Sequence, residues 1–318
     1  MVALALLGTV LLFVFNTFSY QHSTYTVVDQ VSEAQQNARA IARLIERDIR
    51  NAGYLVPPAA AACGVDSNNT PDQLFLSDTD AILPADQLDV FFAGKELGGQ
   101  TSNKPASAGA LTVNVDSVVI DGVASYDTNA DGTDDSDFRV GAGAILVDRG
   151  NPGRGVACGI VSSVPTSTSV EVTFSNILGT SGASGEDLVL VPANVYRIVD
   201  PGAPDPPRLE RNGVLLAKDV EDLQASWVFD DDRDDVIDAG ERRAVTGTNY
   251  VNSTVDGSLL REIRMNLVMR TRANDPRNPD NFSIGQPLEN RTVVSAPAQD
   301  GRHRRVHTAS VRLRNLTL

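Results

Sequence analysis

The first part of the chain carries two hydrophobic patterns, one after the other. Residues 1–15 are almost wholly apolar and contain no charged residue. Further along, apolar residues recur at steps of three or four, which is the spacing of one face of an α-helix. Gly53 then offers a C-terminal cap, and Pro57 and Pro58 prevent the helix from resuming. The pattern predicts one helix over about 1–52, with an amphipathic stripe of Val27, Val31, Ala34, Ala38, Ile41, Ile45, Ile49 and Ala52.

The apolar segment 1–15 has other interpretations. Its length falls short of the roughly 20 residues that a helix needs to span a bilayer. A cleaved signal peptide would carry a basic leading region and a small-x-small cleavage site, and NTFSYQ stands in that place. A short signal anchor stays open. The lack of any helix break after this segment favours the first half of one long helix.

The remainder of the sequence has the pattern of an antiparallel β protein. Residues 54–86 have the composition of a loop. After them, alternating or β-branched runs are separated by frequent turn residues. These runs predict strands near 87–94, 110–120, 142–150, 155–164, 168–175, 187–199, 208–212, 213–220, 222–229, 261–270 and 304–315.

These elements predict an α+β fold: a long N-terminal α-helix packed on an antiparallel β-rich globular head that contains an inserted β subdomain. A rod of about 78 Å is too long for a head of this size to cover, so the helix divides into an apolar and an amphipathic half. The resulting segments are 1–21 and 22–53 for the two helix halves, 54–104 for the post-helix loop and first head strands, 105–190 for the β-rich insert, and 191–318 for the C-terminal part of the head.

Composition and motifs exclude several classes of function. The formal net charge of −14 disfavours a nucleic-acid partner. The sequence has neither a phosphate-binding glycine loop nor a G-x-S-x-G motif. His303 and His307 lie among arginines, which would repel a metal cation, and neither cysteine has a histidine near it in sequence. We therefore expect a protein that is not an enzyme.

An acidic stretch at 229–241, FDDDRDDVIDAGE, has the spacing of an EF-hand-type calcium loop. Position seven, Val236, would contribute its backbone carbonyl. The sixth position is Asp235, where glycine normally makes the sharp turn. The side chains expected to provide oxygen ligands at positions one, three, five, nine and twelve are Asp230, Asp232, Asp234, Asp238 and Glu241.

A second acidic stretch, DTNADGTDDSDF at 127–138, fits the same spacing less completely. Phe138 occupies position twelve, so the bidentate closing carboxylate is missing. The candidate ligands at positions one, three, five, seven and nine are Asp127, Asn129, Asp131, Thr133 and Asp135.

Both stretches have a simpler interpretation as solvated acidic turns, because Asp, Asn and Gly favour turns with or without metal. The number of ligand types in the correct order favours calcium. Its role would be structural: a cation that offsets the repulsion between carboxylates.

Five stretches of the sequence resemble PilW-type minor pilins, members of the type IV pilin and pseudopilin superfamily. MVALALLG is similar to the segment near the start of mature pilins, and QQNARAIARLIERDIRNAGY (35–54) to the end of their first helix. Later segments of the same family are similar to three further stretches: LAKDVEDLQASWVFDDDRDD (216–235), REIRMNLVMRTR (261–272) and the closing RRVHTASVRLRNL (304–316). The family's leader peptide and its glutamate near the mature N-terminus do not occur here, so we expect either a misassigned start or a processed chain.

The resemblance implies a non-catalytic subunit at or near the tip of a type IV pilus, where it helps to initiate assembly. Residues 1–21 would lie in the inner membrane before assembly, with the head in the periplasm, and in the filament core afterwards. The implied partners are other minor pilins, the major pilin and a tip adhesin. Two alternatives stay open: a minor pseudopilin of a type II secretion system, and a free-standing membrane-anchored calcium-binding adhesin.

Cys63 and Cys158 have two interpretations, a disulfide in an exported protein or two buried thiols in a cytosolic one. The periplasmic head implied by the resemblance selects the first. We therefore expect one disulfide that joins the post-helix loop to the β insert.

Overall fold

The fold is that of a computed structural model, which describes residues 2–54, 56–67, 70–78, 99–101, 108–120, 122–176, 178–179, 187–202, 204–234, 236–238, 241–243, 256–275 and 300–313. The predicted strand at 87–94 lies outside these residues.

A single helix, α1 (Val2–Asn51), forms the N-terminal part of the molecule, as the hydrophobic pattern predicts. Gly53 ends it with φ of 84°, a left-handed conformation that glycine adopts without strain. At 1.5 Å per residue, α1 is about 75 Å long. Of the predicted stripe, Ala34, Ala38 and Ile45 are buried, whereas Val31 is only half-buried. Among the residues described, no helix is both long and apolar enough to cross a membrane.

The head is built from antiparallel strands. Their bounds are β1 (Ala62–Ser67), β2 (Thr70–Ser77), β3 (Gly99–Thr101), β4 (Gly109–Asn114), β5 (Gly143–Asp148), β6 (Val156–Thr166), β7 (Ser169–Phe174), β8 (Leu188–Val199), β9 (Arg208–Arg211), β10 (Val214–Lys218), β11 (Val220–Phe229), β12 (Arg242–Arg243), β13 (Leu260–Arg270) and β14 (Arg304–Arg312).

The prediction of a loop over 54–86 is wrong at 62–67 and 70–77, where β1 and β2 lie, and its last part, 79–86, lies outside the described residues. The sequence ACGVDS of β1 contains small and polar residues in place of a β-branched run. Its central residue, Gly64, has to be small: a Cβ there would lie 2.2 Å from Trp227 Cζ2. Contact with the indole of Trp227 in β11 therefore explains the glycine at this position.

Most of the strands belong to one large sheet, which has ten strands in the part of the chain that the structure describes. Its main order is β1-β2-β8-β5-β6-β7-β4. The long strand β8 pairs with β3 and β2 along one edge and with β5 and β9 along the other, and β10 extends β9. A second sheet has the order β12-β11-β13-β14.

The Cys63–Cys158 disulfide joins β1 to β6 and confirms the predicted pairing. Four strand spacings separate these two strands in the order of the sheet, a distance of about 19 Å in a flat sheet. The two Cα atoms are only 6.2 Å apart. The sheet therefore curls back on itself between β1 and β6, and the disulfide holds the curl closed. The secondary structure around the disulfide differs from the prediction, because Cys63 lies in a strand and not in a loop.

In the segment predicted as an insert, 105–190, the described residues contribute strands to the large sheet and form no separate sheet. It also helps to form a second hydrophobic core. Along β5, Ile145 and Val147 face the main core, whereas Ala144 and Leu146 face a smaller core with Phe138 and other residues of the segment. The two faces of the same strands thus serve two cores.

The main core is shared by the amphipathic half of α1, the small sheet and one face of the large sheet. The helix packs chiefly on β13 and β14, with a smaller contact to β10. This arrangement fixes one half of α1 to the head and leaves the other half outside it.

Candidate functional site

The acidic loop 230–241 connects β11 to β12 at one end of the small sheet. Asp230, the first residue after β11, is fully buried, and its backbone N–H donates to Leu259 O at 3.0 Å. Asp232 and Asp234 are exposed. The loop therefore begins at a fixed buried carboxylate and then turns out into solvent.

Three of the predicted ligands converge. One carboxylate oxygen from each of Asp230, Asp232 and Asp234 lies within 4.8 Å of the others, the only such group among the described residues. Two oxygens that bind one calcium ion at about 2.4 Å can be up to ~4.8 Å apart, so the spacing is compatible with a shared cation. Desolvation raises the pKa of Asp232 above its usual value, the hydrogen bond from the N–H of Asp234 opposes this rise, and the charges of Asp234, Glu241 and Asp230 add to it.

The other predicted ligands of this loop are not part of that group. Glu241 closes the loop, because its Oε1 accepts the N–H of Asp231 at 2.8 Å and its Oε2 accepts the N–H of Asp238 at 2.7 Å. The side chains of Val236 and Asp238 are exposed. Each oxygen of Glu241 keeps a second lone pair, so this carboxylate can still take part in binding a cation. Asp235, the predicted departure at position six, lies outside the described residues.

The second loop, 127–138, has the same local geometry but is more fully bonded to its own backbone. Asp127 accepts the N–H groups of Ala130 at 2.7 Å and Gly132 at 2.8 Å. These amide hydrogen bonds, above all that from Gly132, lower the pKa of Asp127. Asp135 accepts the N–H and hydroxyl of Thr128. Within the described chain, the carboxylates of this loop do not converge as those of 230–234 do.

The two loops curl in the same way. In each loop, the side chain at position three accepts a hydrogen bond from the backbone N–H of position five, and the side chain at position five accepts one from the N–H of position seven. The accepting side chains are Asn129 and Asp131 in the second loop, and Asp232 and Asp234 in the first. Position four is left-handed in both, with φ of 62° at Ala130 and 63° at Arg233. The shared spacing in sequence thus corresponds to a shared backbone path.

Sequence reasoning missed a cation beside the first loop. Arg261 Nε lies 3.4 Å from Asp230 Oδ2. Arg261 is the second residue of β13 and is distant from the loop in sequence, so no local pattern could indicate the contact.

Sequence reasoning also missed a polar link between helix and head. The hydroxyl of Tyr196 donates to Asp48 Oδ2 at 2.6 Å, and Arg211 Nη2 lies 2.8 Å from the same oxygen. Burial, and next the Asp48 carboxylate, raise the pKa of Tyr196. Asp48 lies three residues after Ile45 and four before Ala52, so its helical spacing could have indicated that it faces the head.

The outer half of α1 presents an apolar surface. Leu11 is 60 % exposed and Phe15 is 71 % exposed, and large apolar side chains remain exposed as far as Val28. An apolar surface of this length is covered in the functional state of a protein, because its exposure to water is costly.

No protein-family model matches the chain, and no curated protein is similar to it at a significant level. Among solved structures, the chain is similar to a type IV-like pilin from Thermus thermophilus, with a TM-score of 0.31 and 12% sequence identity. The superposition covers 92% of this chain and 97% of the pilin. At this level of similarity, function has to be inferred from the residues of the chain itself.

Proposed function

We propose that the protein is a non-catalytic minor pilin of the PilW type, which acts at or near the tip of a type IV pilus and helps to initiate its assembly. The observation that carries this proposal is the division of α1. One half is buried against the head through Ala34, Ala38 and Ile45, and the other half exposes Leu11, Phe15 and their neighbours.

This division suits a subunit that exchanges one apolar environment for another. Before assembly, the exposed half of α1 would be held in the inner membrane with the head in the periplasm. In the filament, it would be buried against the helices of other minor pilins and of the major pilin. The head would then cover the outside and contact neighbouring subunits, including a tip adhesin. The sequence resemblance supports this position for the head.

Deletion of the gene should reduce the number of surface filaments, and the wild-type gene should restore it. Leu11→Asp places a charge on the apolar half of α1 and should fail to restore filaments. Val140→Asp, at an exposed apolar position on the head, is the matched control and should restore them. Normal filament numbers in the deletion strain would contradict the assembly role and favour a free-standing adhesin.

We propose that the loop 230–241 binds calcium in a structural role, with Asp230, Asp232 and Asp234 as the core of the site. Calcium prefers six to eight oxygen ligands and tolerates irregular geometry. Asp238, Glu241 and the Val236 carbonyl would complete the shell. The loop 127–138 would be a second, weaker site, because its carboxylates do not converge and it lacks the closing glutamate.

Millimolar calcium should raise the melting temperature of the protein by more than equal magnesium does, because magnesium demands stricter octahedral geometry. At a hundredfold excess over Kd, the stabilisation would be about 2.7 kcal/mol. Asp232→Asn together with Asp234→Asn should remove most of this gain, whereas Asp231→Asn, an exposed loop carboxylate outside the ligand set, should retain it. An identical response to calcium, magnesium and matched ionic strength would show charge screening alone.

A further inference from the structure

The contact between Arg261 and the acidic loop has an unusual feature. Asp230 is fully buried, and the side chain of Arg261 is only 18% exposed. Their closest atoms, Asp230 Oδ2 and Arg261 Nε, are 3.4 Å apart, yet neither atom makes a hydrogen bond in the described part of the chain. The two groups therefore face each other as charges and not as a hydrogen-bonded pair.

Both charges are held in place by other bonds. The N–H of Asp234 donates to Asp230 Oδ1 at 3.1 Å, whereas Oδ2 accepts no hydrogen bond from the described residues. Arg261 Nη1 donates to the carbonyl of Ser258 at 3.0 Å. The guanidinium is thus anchored beside the buried carboxylate of Asp230, whereas Asp232 and Asp234 are exposed.

A buried carboxylate requires a nearby positive charge, because the protein interior does not solvate it. In the absence of metal, Arg261 supplies this charge to Asp230. A calcium ion held by the three aspartates would bring two further positive charges close to the guanidinium, and like charges at this range repel. Arg261 therefore balances the negative charge of Asp230 when no metal is bound, and calcium balances it when the ion is bound.

We infer that Arg261 is an internal counter-ion that regulates the calcium loop: it balances the charge of Asp230 without metal and lowers the affinity of the loop for calcium. This inference rests on the calcium site proposed above. It predicts that the chain folds without calcium and that the ion binds only where its concentration is high, as it is outside cells.

Arg261→Gln tests the inference. Calcium chloride is titrated by calorimetry into the full chain in mild detergent, and the melting temperature is measured in a chelator and in calcium. The variant should bind calcium about tenfold more tightly or better than the wild type. It should also melt at a lower temperature in the chelator and gain more from calcium. If the variant binds calcium and the wild type binds none, this outcome also supports the inference, because it is the largest possible gain in affinity.

Arg264→Gln is the matched control. Arg264 lies on the same strand and is paired with Glu262 at 2.6 Å, away from the loop. Its loss removes the same net charge and should leave the calcium affinity within about twofold of the wild type. If Arg261→Gln does not fold, Arg261→Lys provides the test: it keeps the charge and should keep the wild-type affinity. A tenfold gain with lysine would overturn the inference.

The possible failures are distinguishable. Equal calcium affinity in Arg261→Gln, Arg264→Gln and the wild type would refute the role of Arg261 and leave the calcium site intact. Failure of all three proteins to bind calcium in preference to magnesium would refute the calcium site itself, and with it the regulation by Arg261.

Discussion

Ala38→Asp should lower the free energy of unfolding of the head by about 3 to 5 kcal/mol. Ala38 is 3% exposed on the face of α1 that enters the main core. An aspartate there would bury a carboxylate that has no partner cation, and it would push the helix away from the sheet. Thermal or denaturant unfolding of the full chain in mild detergent, followed by the fluorescence of the single tryptophan, Trp227, measures the loss.

Ala40→Asp is the control for this substitution. Ala40 lies two residues away on the same helix and is exposed, so the same change should cost at most about 0.5 kcal/mol. An equal loss in both variants would mean that aspartate disturbs the helix in general. An unchanged unfolding curve for Ala38→Asp would mean that this face of α1 does not pack on the head.

Replacement of both Cys63 and Cys158 by alanine should cost about 2 to 5 kcal/mol. The disulfide spans 95 residues of sequence, and a loop of this length corresponds to about 4 to 5 kcal/mol in the chain-entropy account of cross-links. It also closes the curl of the large sheet between β1 and β6, so its loss should loosen β1 first. Denaturant unfolding gives the total loss, and hydrogen exchange of the β1 amides shows where it occurs.

Reduction of the wild-type protein is the matched comparison for the double variant. A reductant that reaches the bond should lower the stability of the wild type and leave that of the double variant unchanged. If the two proteins unfold alike before reduction, the cross-link is not a source of stability and the closure of the sheet depends on its strands alone.

The helix was predictable from sequence because its determinants are local. The spacing of Ala34, Ala38, Ile41 and Ile45 and the stop at Gly53 each depend on residues within a few turns. Most strands were predictable for the same reason: runs such as AILV in β5 and VEVTF in β7 have strong β-sheet propensity.

β1 and β2 were missed because tertiary contacts determine them. Gly64 suits a strand only when Trp227, more than a hundred and fifty residues later, lies against it. The sequence likewise does not predict the curl of the sheet, because the curl depends on which strands pair with β8. Long-range pairing of this kind outweighs local propensity.

The candidate site likewise has features that local sequence predicts and features that depend on the fold. The calcium spacing of 230–241 is local, and the convergence of Asp230, Asp232 and Asp234 agrees with it. The sequence predicted the position of Glu241 in the loop. It did not predict the hydrogen bonds that Glu241 accepts from the N–H groups of Asp231 and Asp238. The counter-ion Arg261 comes from another strand and required the fold.

The proposed role in a filament depends on what covers the exposed half of α1, and site-specific photo-crosslinking measures this directly. A photoreactive amino acid at Leu11 in the native host should form covalent products with other pilin subunits in sheared filaments. The same amino acid at Val140, on the head, should give far fewer of them. Absence of the chain from the filaments, with no protein product at Leu11, would contradict the proposal that this helix is packed among pilin helices.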